Sequence, residues 1–200
     1  MNADARGDGY RVVTDKQAPH LGGNVAEGDP YTFCPKVWDY MLDRFAIKSM
    51  LDLGSGLGHC AHYFFRRGVA ALAVDGLQYN VDRAVYPTFL QDLTKAPVTA
   101  RVDLVHCQEV VEHVDAQYID NVVQSLKCGR YILLTNALPG QDGHHHVNER
   151  PFEYWTKLLR DNNCVYLPED SRRVRSIGGL EKAAFIAATG AVYVNLDFVG

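Results

Sequence analysis

Three glycines in five residues, Gly54, Gly56 and Gly58, follow the apolar run Met50-Leu51-Asp52-Leu53. The pattern reads as a buried strand that breaks into a glycine turn and then opens a helix from about His59 to Arg67. Glycine permits positive φ and lets a ligand approach where a Cβ would block it. The helix start beyond the turn presents free N–H groups and a positive dipole end. Such a turn suits a polar, partly anionic cofactor. Its spacing is G-x-G-x-G rather than the G-x-G-x-x-G of dinucleotide sites, and no Lys-Ser/Thr follows as in a P-loop. Asp52, two residues ahead of Gly54, would repel a pyrophosphate but can accept hydrogen bonds from a cationic amino group. The ligand these features fit is an amino acid attached to a nucleoside. Asp75, 21 residues after Gly54, closes the next apolar strand. A carboxylate there can accept both ribose hydroxyl hydrogens, and Gly76 beside it leaves room for the sugar.

Two further groups carry chemistry. Glu109-Val110-Val111-Glu112-His113 follows a strand directly, and His144-His145-His146 lies in a long loop. On a helical turn Glu109, Glu112 and His113 fall at i, i+3 and i+4 and project from one side. As general bases, Glu109, His113 and His145 form the preferred catalytic set. As ligands, Glu109, Glu112, His113 and His145 would make an octahedral or mixed N/O metal site, the alternative reading. Consecutive histidines point in different directions, so at most two of the three can share one ligand. Arg150 can pair with a substrate carboxylate or phosphate, and Tyr154 can stack on a ring.

The stretch Leu51 to Gly58 resembles the first motif of the class I S-adenosylmethionine-dependent methyltransferases, and the resemblance extends over about residues 48–136. It implies that Asp52, Gly54, Ser55, Gly56 and Gly58 hold S-adenosyl-L-methionine together with Asp75 and Gly76. It also implies that Asp92 accepts the adenine amino hydrogen, with the Leu93 N–H near the ring and Gln108 on the floor under the methionine part. The fold implied is a Rossmann-like doubly wound α/β sheet of seven strands, mostly parallel with an antiparallel last strand and helices on both faces. Methyl transfer from a sulfonium is an in-line displacement, so alignment supplies much of the rate. An oxygen acceptor must also lose its proton, to a base or with a metal's help. The E-x-x-E-H pattern with a distal histidine resembles the metal-dependent small-RNA terminal 2′-O-methyltransferases and the ubiquinone-pathway O-methyltransferases. The first expectation is O-methylation of a small metabolite, such as a sugar or a phenolic compound. The alternatives are a metal-dependent RNA 2′-O-methyltransferase and a non-catalytic cofactor-binding domain. The glycine spacing speaks against a nicotinamide oxidoreductase. No Asn/Asp-Pro-Pro-Tyr/Phe follows the fourth strand, and no Pro-Cys pair supports cytosine methylation.

These residues need a frame to position them. Strands are expected at 49–53, 71–75, 88–91, 102–107, 131–136, 164–167 and 191–198, with helices near 35–45, 59–67, 79–84, 116–127 and 151–161. The β-α alternation implies a mostly parallel sheet covered on both faces. In such sheets ligands bind beyond the carboxyl ends of the strands, where every candidate above falls. Residues 1–29, rich in Gly, Asp and Asn, form an N-terminal arm, expected to be partly mobile and to act as a lid. Residues 30–200 form a single domain.

Composition bounds the function class. The 200 residues are 47% hydrophobic and 22% charged, with a net charge of −4. That balance disfavours electrostatic binding to a nucleic-acid backbone. The cluster Arg172, Arg173 and Arg175 is expected in a solvated loop. Five scattered cysteines, with no C-x-x-C pair, suggest neither a disulfide framework nor a cysteine zinc site. With no apolar run of membrane length and no signal peptide, a cytoplasmic enzyme with a small-molecule acceptor is expected.

Overall fold

A computed structural model describes residues 11–198. The chain runs α1 (Pro35–Phe45), β1 (Ser49–Leu53), α2 (His59–Phe65), β2 (Ala70–Asp75), α3 (Gln78–Arg83), β3 (Thr88–Leu90) and β4 (Val102–Cys107). It continues through α4 (Ile119–Leu126), β5 (Gly129–Leu134), α5 (Phe152–Asp161), β6 (Cys164–Tyr166), α6 (Pro168–Glu181), α7 (Ala184–Thr189) and β7 (Ala191–Asn195). The seven strands form one sheet in the order β3-β2-β1-β4-β5-β7-β6. Strands β1 to β5 pair in parallel, and β7 runs antiparallel between β5 and β6. The strand order reverses between β1 and β4, which makes their carboxyl ends the switch point of the sheet.

Alternating side chains divide the sheet into two buried faces. Leu51, Leu53, Val105, Cys107, Ile132 and Leu134 pack against Trp155 and Leu159 of α5 and against α4. Met50, Ala73, Leu104, Leu133 and Val192 pack against Trp38 and Met41 of α1, Phe64 of α2 and Ile186 of α7. Helix α1 forms where its sequence places Val37, Trp38 and Met41 on one face behind Pro35, and it ends at Ala46 in the left-handed region.

Two expectations fail after β6. Arg172, Arg173 and Arg175 lie on helix α6 rather than in a loop, with Arg175 donating to the Tyr166 hydroxyl at 2.7 Å. No helix was expected between the last two strands, yet α6 and α7 intervene there. Helix α6 has a sparse apolar stripe; it buries only Asp170, Ser171, Val174 and Gly178. It is held by polar contacts instead: Asp170 accepts from the Tyr40 hydroxyl at 2.7 Å and from Arg44 Nε at 2.8 Å. Sequence periodicity does not register partners of that kind.

Candidate active site

The glycine turn joins β1 to α2 at the switch point. Gly54 has φ +70°, and a Cβ there would lie 2.3 Å from Val110 Cγ2, so the turn packs directly on the loop after β4. Gly56 has φ +55° and open space where a Cβ would be. Its N–H donates to Asp75 Oδ2 at 2.7 Å. The other Asp75 oxygen accepts from the Leu77 N–H at 2.9 Å and from Asn80 Nδ2 at 3.0 Å. Burial lifts the Asp75 carboxyl to about 6, against the downward pull of these hydrogen bonds.

One cavity of about 1560 Å³ runs along this edge, bordered by the glycine turn, Asp75, Gly76, Asp92, Leu93, Gln108 and Glu109. Single ligands usually fill roughly 300–1,000 Å³, so the space accommodates a donor and an acceptor together. Gln108 is buried, and neither its amide oxygen nor its nitrogen has a partner in the protein; Ser55 Oγ is likewise unpartnered. Orphaned polar atoms beside open glycine backbone fit a polar nucleoside ligand. Asp92 accepts from the Thr94 N–H at 2.8 Å, and its carboxylate lies 3.2 Å from His20 Nε2. Burial raises this carboxyl, but the bonds from Thr94 and His20 outweigh it and hold it below the usual range. Part of the N-terminal arm therefore borders the cavity. Leu21 covers Gly76, and Asn24 Nδ2 donates to Asn80 Oδ1 at 2.8 Å.

The acceptor side is built from the loops after β4 and β5. The expected helical turn at Glu109 to His113 is absent: Glu109 takes φ +56° and the following residues form turns. Its side chain is fixed by Thr135, whose hydroxyl donates to Glu109 Oε1 at 2.7 Å. The Thr135 oxygen in turn accepts the Glu109 N–H at 2.9 Å. Burial pushes the Glu109 carboxyl up to about 7, partly offset by the Thr135 bond. Glu112 is fully buried with neither oxygen partnered, and burial together with the Glu109 charge pushes its carboxyl far up. Burial and the nearby His146 pull His113 down to about 4, which leaves its ring neutral at pH 7.

The loop after β5 is clamped here by the Val147 and Asn148 N–H groups, each donating to the Glu112 carbonyl at 3.0 Å. This clamp brings His146, not His145, beside Glu112 and His113, with the three ligating atoms within 4.8 Å of one another. His146 Nδ1 donates to the Gln141 carbonyl at 2.8 Å, which leaves Nε2 with the lone pair. His145 has φ +51° and its ring lies near His20 and His144, outside the cavity lining. Arg150 and Tyr154 also lie outside it: Arg150 Nε donates to Asn148 Oδ1 at 3.0 Å and the guanidinium packs on Tyr154. Two residues that composition did not single out border the cavity instead. His146 was hidden by its two neighbours. His106 carries a weak sequence signal, a polar residue inside the apolar strand Val102–Cys107.

A seven-stranded sheet of this order, with a glycine turn at its switch point and carboxylates at the ends of β2 and β3, defines a class I S-adenosylmethionine-dependent methyltransferase. The chain belongs to the methyltransferase-domain family, whose model matches residues 26–174. Its fold is similar to magnesium protoporphyrin IX methyltransferase from Synechocystis PCC 6803 with bound S-adenosylhomocysteine (TM-score 0.53, 16% identity, 66% of this chain and 74% of that one). It is similar as well to the methyltransferase domain of a bacterial CtHen1 (TM-score 0.53, 16% identity, covering 66% and 86%). A sarcosine dimethylglycine methyltransferase assignment from Galdieria sulphuraria matches over more of the chain (TM-score 0.53, 13% identity, covering 95% and 94%). Comparison with curated proteins yields no match. Among the described residues no helix is long and apolar enough to cross a membrane.

Proposed function

We propose that this methyltransferase methylates a hydroxyl group of a small acceptor such as a sugar or phenol. The observation that carries the reading is Glu109, a half-buried carboxyl lifted to about 7, fixed by Thr135 and bordering the cavity beside the glycine turn. A base with a value near the working pH is efficient at taking a proton from a hydroxyl. When bound, S-adenosylmethionine supplies an electrophilic methyl group. The glycine turn, Asp75, Gly76, Asp92, Leu93 and Gln108 would orient the donor, with Asp75 accepting from a ribose hydroxyl at its one open site and Asp92 from the adenine amino group. Glu109 would take the acceptor hydroxyl's proton, and the bound donor would supply the methyl group to the oxygen so freed. His113, neutral and half-buried, shapes the acceptor side of the site. The arm serves as a lid through the contacts of His20 at Asp92 and Leu21 at Gly76; its first ten residues lie outside the described ones. A panel of sugars, phenols and short RNAs with labelled donor tests this; transfer to RNA alone would overturn it.

A second reading is favoured by a specific observation. Glu112, His113 and His146 offer three convergent ligand atoms, two of them on an unpartnered carboxylate and an imidazole oriented by a backbone carbonyl. A divalent metal held there would lower the pKa of an acceptor hydroxyl, as in a metal-dependent RNA 2′-O-methyltransferase. Gly143 is a sharp probe, because a Cβ there would lie 2.1 Å from His146 Nε2. Under the metal reading, Gly143→Ala and Glu112→Ala each weaken Mn²⁺ binding by calorimetry at least about tenfold, and EDTA abolishes turnover. Full activity in EDTA with no Mn²⁺ heat removes the metal.

A further inference from the structure

The charge along the border of the cavity is one-sided. Carboxylates line it on the donor side at Asp52, Asp75 and Asp92, and beyond them at Glu27, Asp29, Glu109 and Asp142. Among the described residues no Lys or Arg joins them, so the basic side chains of the border are imidazoles alone. The donor-side carboxylates are largely engaged within the protein. Asp52 lies 2.8 Å from Nδ1 of His106, its register partner on β4, and accepts the Ala61 N–H at 3.1 Å. Asp75 accepts from Gly56, Leu77 and Asn80, and Asp92 meets Thr94 and His20. The donor, a sulfonium with a zwitterionic tail, brings a single net positive charge, which leaves the acceptor-side carboxylates unmatched.

Asp29 is the most available of these. It accepts the Tyr31 N–H at 2.8 Å through Oδ1, which leaves Oδ2 open among the described residues. It also stands near Glu109: burial is the main reason that the Glu109 carboxyl is raised, and the Asp29 charge raises it further. The same segment carries Tyr31 and Phe33, 41% and 48% exposed, and both residues border the cavity. Exposed aromatic rings beside a carboxylate attract a cation by two routes, ion pairing and the ring quadrupole. Gln108, adjacent to Glu109 in the chain, is 8% exposed and neither of its amide atoms has a partner, so this wall takes a polar ligand. An anionic acceptor would meet like charge with no Lys or Arg to answer it, whereas a cation would be drawn in.

We propose that the acceptor is a hydroxylated amine, with its ammonium group at Asp29, its hydroxyl at Glu109 and its carbon frame against Tyr31 and Phe33. This rests on the O-methyl transfer reading and deepens it by naming the acceptor's charge. Asp29 is a positioning residue: it holds the far end of the acceptor so that the hydroxyl meets its base. The same border disfavours acceptors with a carboxylate or phosphate in place of the amine, and a polyanion such as RNA most of all.

Two series of probes vary the charge at nearly constant shape: tyramine, para-ethylphenol and para-hydroxyphenylacetate, and glucosamine, glucose and glucuronate. Calorimetry on the protein saturated with S-adenosylhomocysteine reads their binding without turnover. In at least one series the ammonium member is expected to bind at least about tenfold tighter than the neutral one, with the anion weakest. The series that responds tells an aromatic frame from a sugar. Asp29→Asn keeps an acceptor for the Tyr31 N–H and removes the charge. It should bring the ammonium member to within about twofold of the neutral member, whose own affinity should hold. A merely structural role would weaken all three members alike. If that variant does not fold, loss of the wild-type preference at high ionic strength carries the test. Equal affinity across both series, no binding in either, or a preference kept in Asp29→Asn overturns the proposal. The charge preference without methyl transfer removes the O-methyl reading and leaves the cation site; transfer to neutral and anionic members as readily as to the amines does the reverse.

Discussion

Glu109→Gln is expected to lower kcat by about 10²–10⁴-fold while leaving S-adenosylhomocysteine affinity unchanged. Glutamine keeps the size and can still accept from the Thr135 hydroxyl, but it cannot take a proton. The pH dependence supplies the diagnostic. Burial places the Glu109 carboxyl at about 7. The base works ionised, so the wild-type rate should rise with pH through about 7 and then level off. In Glu109→Gln that rising limb should disappear. A variant within threefold of wild type, or one with the same limb, would remove Glu109 as the base. Stopped assays across pH 5–9 with saturating donor separate this from a binding effect.

The second large effect is on donor binding. Asp75→Ala should weaken S-adenosylhomocysteine by roughly 10–10²-fold, because three of the carboxylate's about four acceptor sites are taken within the protein and the one hydroxyl bond left is worth about 1.5–3 kcal/mol. The structural cost is separate: the Gly56 and Leu77 N–H groups and Asn80 lose their common acceptor. Thermal melts without ligand measure that part, and calorimetry on the folded fraction measures the rest. The sign of the pH effect differs between the two. Burial raises the folded Asp75 value from 3.8 to about 6, so the protonated form favours folding. That contribution is complete below pH 3.8 and is lost as the pH rises through about 6. Donor binding runs the other way, since ribose hydroxyls donate best to the ionised carboxylate. Affinity should therefore fall as the pH drops below about 6, and Asp75→Ala should abolish that dependence. An unchanged affinity in the variant would sink the ribose assignment.

The donor half of the site was legible because it is local. A strand, a glycine turn and a helix start occupy ten consecutive residues, and an acid at the end of each following strand keeps its place whatever the rest of the chain does. The acceptor half was not, because long loops decide it. The E-x-x-E-H spacing suggested a helical turn, yet Glu109 adopts φ +56° so that its backbone and side chain both meet Thr135. Which of three adjacent histidines joins Glu112 and His113 was set by two backbone bonds from Val147 and Asn148 to Glu112.

Helix α6 and the Asp52–His106 pair show the same limit from the other side. Periodicity records apolar faces, so it missed a helix held by Asp170 and a histidine inside an apolar strand. Apolar patterning and glycine turns act over a few residues, so the sheet, the donor and the edge on which chemistry occurs can be read from spacing alone. Which histidine joins Glu112, and what Asp52 touches, depends on how the folded chain closes. Partners 34 and 54 residues apart meet through strand register and loop closure, and neither is written in local spacing.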